Sequence, residues 1–114
     1  MDKDNSQEII EYLNQDERHR KKFIYITNII LEGLRNTEVY DQEEINEACK
    51  GVTAMKFFKG QENDRLYCKE ITRDDKTFVV IMAELRLKKK SQKNKQRENN
   101  IIKKVANYEY EFEE

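Results

Sequence analysis

The chain has 114 residues, 37% hydrophobic and 39% charged, with a net charge of −1. That length holds one domain, spanning residues 1–114, with a single modest core. Its apolar stretches, Ile24 to Leu34 and Phe78 to Leu87, fall short of the roughly 20 apolar residues a membrane span needs, and the opening MDKDNSQEII lacks the basic start and apolar run of a signal peptide, so a cytoplasmic protein without membrane contact is expected.

Proline is absent, so Gly33, Gly51 and Gly60 supply the main punctuation. A first helix begins near Ser6, with Ser6 or Asn5 as its cap and Ile9, Ile10 and Leu13 on its apolar side. After Asn14-Gln15-Asp16 a second helix is expected from Glu17 to Leu34, where Phe23, Ile26, Ile29, Ile30 and Leu34 make the stripe. The two form a helical hairpin or one helix broken near Gln15. Asp41 to Ala48 (DQEEINEA) reads as a short acidic helix capped by Asp41 and stopped by Gly51.

Strands are expected at Thr53 to Phe58, Arg65 to Thr72 and Thr77 to Leu87. The continuous apolar run of the last suggests a central strand covered on both faces, opening to water where Leu85 and Leu87 alternate with Glu84 and Arg86. The RDDK connection makes the last two strands an antiparallel hairpin. A closing helix follows from Gln96 to Glu111, with Ile101, Ile102, Val105 and Ala106 as its stripe. The fold class is therefore α+β: an N-terminal helical hairpin, a small antiparallel β-sheet and a C-terminal helix, with helices on one or both sheet faces.

Cys49 and Cys68 have no companion cysteines or clustered histidines, which is no zinc spacing; reduced thiols, at least one in the core, are expected. The one histidine, His19, lies in the charged stretch DERHRKK and reads as a solvated helix residue. With no Gly-rich phosphate loop either, catalytic triads, zinc hydrolases and nucleotide-binding folds are poorly supported, and no metal or cofactor is expected.

Charge is divided unevenly. Residues 1–50 carry 7 basic and 12 acidic side chains, residues 51–105 carry 15 and 7, and the tail ANYEYEFEE has four acids and no base. Seven of those fifteen basic residues fall between Arg86 and Arg97, around the run LKKKSQKNK. Such density exceeds what a solvated loop requires and favours a polyanion partner. The acidic tail reads as a frayed helix end, or as a segment folding back over the basic surface.

The stretch LKKKSQKNKQRENNIIKKVANY, Leu87 to Tyr108, resembles the end of the RelE/ParE superfamily of toxin–antitoxin toxins, in particular its HigB-like branch. Members of that branch end a strand on an aromatic or apolar residue and continue with Lys-Lys, Ser or Thr, Gln and Lys before a helix. Here Leu87, Lys89, Lys90, Ser91, Gln92 and Lys93 fill those positions, and Glu98 continues the likeness. MKFFKGQENDRLYCKEI, Met55 to Ile71, is similar to the family's lysine-rich loop, glycine and Leu-Tyr strand. Family members usually open with a strand, whereas residues 1–6 here are short and polar; one run, Lys76 to Leu87, occupies the place of two strands; and the arginine usual after the Leu-Tyr strand is missing.

The resemblance implies a bacterial mRNA-cleaving endoribonuclease that needs no metal, acts on messenger RNA at the ribosome and is neutralised by an antitoxin protein. Cleavage through a 2'-hydroxyl needs proton transfer and stabilisation of charge on phosphate, which clustered Lys and Arg supply in that family. Lys69, Lys76, Arg86 and Lys88 are the expected catalytic floor; Arg86 and Lys88, two apart on a strand, share a face. Arg73, Lys89, Lys90 and Lys93 are expected on the RNA backbone, and Tyr67 either stacks on a base or packs in the sheet. The alternative is a non-catalytic binding module of the same fold, held by an antitoxin-like or DNA-binding partner. Oligomeric state is left open.

Overall fold

The computed structural model describes residues 3–34, 36–43, 46–58, 64–87 and 95–110. Helix α1 (Ser6–Asn14) and helix α2 (Glu17–Leu31) precede strands β1 (Tyr40–Gln42), β2 (Val52–Phe57), β3 (Asp64–Thr72) and β4 (Phe78–Arg86), and helix α3 (Lys95–Ala106) closes the described chain. The strands form one antiparallel sheet in the order β1-β2-β3-β4. The α+β class, with helices at both ends of the chain and a small antiparallel sheet between them, is the architecture expected from the sequence.

The break between α1 and α2 has a local cause. Asp16 is extended and its carboxylate accepts the His19 backbone N–H at 2.8 Å, capping α2. At the far end Gly33 adopts φ +68°, its N–H reaching Ile30 O and that of Leu34 reaching Ile29 O at 3.1 Å. That is a Schellman closure, so α2 stops at Leu31 and Leu34 lies outside its stripe, exposed. At the start of α1, Asn5 makes no side-chain cap; its amide donates instead to Ala83 O on β4 at 2.8 Å.

The two sheet faces carry separate cores. Met55, Phe57, Leu66 and Cys68 point to the α1–α2 side, where Ile9, Tyr12, Leu13 and Ile26 cover them. Val52, Ala54 and Tyr67 point to the other side and pack beneath Ile102 and Val105 of α3. Helices thus cover both faces. Gly51, at φ +91°, passes so close to β3 that an added Cβ would lie 3.1 Å from Glu70 O; the glycine lets β2 enter in register.

Three expectations need correction. Among the described residues of the acidic segment no α-helix forms: Tyr40–Gln42 pairs with β2 as an edge strand, with Tyr40 drawn into the core beside Met55, and Glu47–Cys49 makes a 3-10 turn. Strand β4 lies at the sheet edge rather than its centre; its apolar run reflects packing of its two faces, which leaves the edge undetermined. His19 is buried (4% exposed), its ring edge-on to Tyr12 and Phe58 and its Nδ1 2.7 Å from Asp16.

Candidate nucleic-acid interface

Register brings three cations together. Lys56 on β2 is opposite Arg65 on β3, and Arg65 is opposite Arg86 on β4. All three sit on the α3 side of the sheet, since alternate residues along a strand share a face. A β-bulge makes the third member possible: between Tyr67↔Glu84 and Cys68↔Met82, β4 carries Ala83 as an extra residue, which moves Glu84 and Arg86 onto the face of Ile81.

Carboxylates face this row. Glu43 accepts from Arg65 Nη1 at 2.8 Å, Asp41 lies 3.7 Å from Lys56 Nζ, and Glu98 of α3 lies 3.8 Å from Arg86 Nε. Arg86 is 6% exposed, and its Nε donates no hydrogen bond among the described residues. Burial raises the Glu43 carboxyl above its ordinary range, against the pull of the Arg65 cation. The Tyr67 hydroxyl is also pushed well up by burial, so it stays protonated and serves no base role near neutral pH.

The described residues among those singled out from sequence do not converge. Lys69 donates to Ala106 O at 3.0 Å and to Tyr108 O, so its ammonium closes the C-terminal end of α3. Lys76 is exposed at the tip of the β3–β4 hairpin beside Arg73, at the opposite end of β4 from Arg86. Tyr67 is 1% exposed and packs under α3, so it offers no ring face to a base. Lys88, Lys89, Lys90 and Lys93 lie outside the described residues. Of the described members of the expected catalytic floor, Lys69, Lys76 and Arg86, Arg86 alone belongs to the row.

Lys56 and Arg65 escaped the sequence reading because no local spacing marks them; only strand register places them beside Arg86. The start of the acidic tail turns back onto the sheet, with Tyr108 donating through its hydroxyl to Glu84, which Lys104 also meets at 3.0 Å. Helix α3 therefore ends at Ala106, short of the expected Glu111. Among the described residues no group of His, Cys, Asp and Glu could hold a metal, and no helix is long and apolar enough to cross a membrane. In comparison with known proteins, no family model, no curated protein and no solved structure matches this chain.

Proposed function

We propose that this chain is the toxin of a toxin–antitoxin pair, a cytoplasmic protein that cleaves messenger RNA at a phosphate held on the Lys56–Arg65–Arg86 row. The observation that supports this reading is the row itself. Like charges opposite one another across strands weaken a sheet; Asp41, Glu43 and Glu98 offset the three in the free protein, and an RNA phosphate would compete with these carboxylates for the same cations. Attack of a 2'-hydroxyl on its neighbouring phosphate builds negative charge on the phosphoryl oxygens, which fixed cations stabilise. The six basic residues that follow Arg86 in the sequence as far as Arg97, Lys88, Lys89, Lys90 and Lys93 among them, would add contacts to an RNA backbone. An antitoxin that covers this face would keep the protein inactive.

A second reading is a binding module of the same fold without cleavage. It is favoured by the engagement of Arg86 with Glu98 and of Lys69 with α3, which occupies two of the residues expected to act in cleavage. Induced expression, combined with RNA binding and cleavage by purified protein in a translating extract, separates the two. Growth arrest and cleavage by the wild type, both lost in a folded Lys56→Ala/Arg65→Ala/Arg86→Ala variant, support the toxin. Salt-sensitive RNA binding without cleavage supports the module, and absence of binding sinks both.

A further inference from the structure

The outer edge of β4 is the longest open edge of the described sheet, and its chemistry is that of a strand awaiting a neighbour. Arg73 N donates to Thr77 O at 2.9 Å, and Val79 and Ile81 follow in register opposite Ile71 and Lys69. Those residues bond to β3, so Phe78, Val80 and Met82 turn their N–H and C=O groups outward. The same three side chains line a trough of about 350 Å³ against Thr27 and Leu31 of α2, where Leu31 is 83% and Phe78 55% exposed. Hydrogen-bonding groups and apolar side chains are therefore offered along one line.

Natural edge strands are protected by charge, proline or a covering segment. Among the described residues, protection begins only past Met82, where the Asn5 amide takes Ala83 O and residues Lys3 to Asn5 lie beside Glu84. The hairpin turn bounds the other end. The open stretch, Phe78–Met82, contains no charge or proline and is centred on Val80. An occupant must be an extended, uncharged segment with apolar residues at alternate positions, and this stretch meets that description itself.

We propose that two copies of this chain pair through their β4 edges, antiparallel, about a two-fold axis at Val80. The two sheets become one continuous eight-stranded sheet. Phe78 of each copy pairs with Met82 of the other and Val80 with Val80, making about six backbone hydrogen bonds from the outward groups. The hairpin turn at one end and the Asn5–Ala83 contact at the other leave Phe78–Met82 as the length of edge two copies can share, which centres the pairing on Val80. The contact is self-complementary, as a two-fold interface requires, and it stops short of Arg86, so it does not depend on the function of the cation row.

Sedimentation equilibrium tests the proposal, with Val80→Pro as the decisive variant. Proline at Val80 removes an outward N–H and leaves the β3 ladder intact, a position proline tolerates on edge strands. The wild type is expected to be a dimer at micromolar concentration and Val80→Pro a monomer with unchanged circular dichroism. A wild type that stays monomeric at several hundred micromolar, or a Val80→Pro dimer of unchanged Kd, overturns the proposal. Should Val80→Pro not fold, Phe78→Lys decides at an already exposed position: a tenfold or greater rise in dimer Kd is expected, and no change overturns the pairing.

Discussion

Cys68 and Lys69 are neighbours on β3 with opposite fates. The Cys68 thiol faces the α1–α2 core with no exposure, and burial pushes its pKa up to about 12 from an ordinary 9.0. The folded state thus holds this proton more tightly than the unfolded chain, so the stabilisation is complete below pH 9 and is lost as pH rises toward 12. Cys68→Ala should flatten the fall of stability across that alkaline window in urea titrations at stepped pH. Neither thiol should react with an exposed-thiol reagent at pH 8 until denaturant is added, because Cys49 is buried as well. Lys69 instead closes α3, a cation at the negative end of a helix dipole. Lys69→Met should cost about 1 kcal/mol of stability, measured by the urea midpoint, and leave RNA affinity at the row unchanged. Sequence alone shows Lys69 as one basic residue among several near a turn, since its carbonyl partners lie nearly forty positions further along the chain.

Among the elements, the β3–β4 hairpin was legible and its turn was not. RDDK between two apolar runs announces a hairpin, yet the turn sets Lys76 at φ +69°, a region that disfavours any side chain with a Cβ. Lys76→Gly should therefore stabilise the protein by about 0.5–1 kcal/mol, seen as a raised thermal midpoint. RNA affinity should hold, because the length of β4 separates Lys76 from the cation row. Helix α2 was legible from its stripe, and its true end depended on the conformation at Gly33. The acidic stretch from Asp41 misled because three carboxylates near a cap favour a helix, whereas ladder bonds to β2 and burial of Tyr40 outweighed that preference.

Across the whole molecule, α3 lies over a sheet face that carries a row of cations and meets it with Glu98. Neutralising that carboxylate should loosen its hold on Arg86. Glu98→Gln is expected to raise affinity for single-stranded RNA several-fold at fixed salt. Lys56→Ala/Arg65→Ala is expected to lower it and to reduce the salt slope by roughly 0.7 for each phosphate no longer neutralised. Fluorescence anisotropy at stepped salt concentrations measures both. The sequence by itself determined the α+β class, both main apolar stripes, the strand hairpin and the uneven charge, because these rest on periodicity and composition within short windows. Only the tertiary structure decided that β4 is an edge, that α3 covers the face of Arg86 and that Lys56 and Arg65 stand beside it. Those facts depend on register between segments distant in the chain, and a single bulged residue at Ala83 is enough to carry Arg86 from one face to the other.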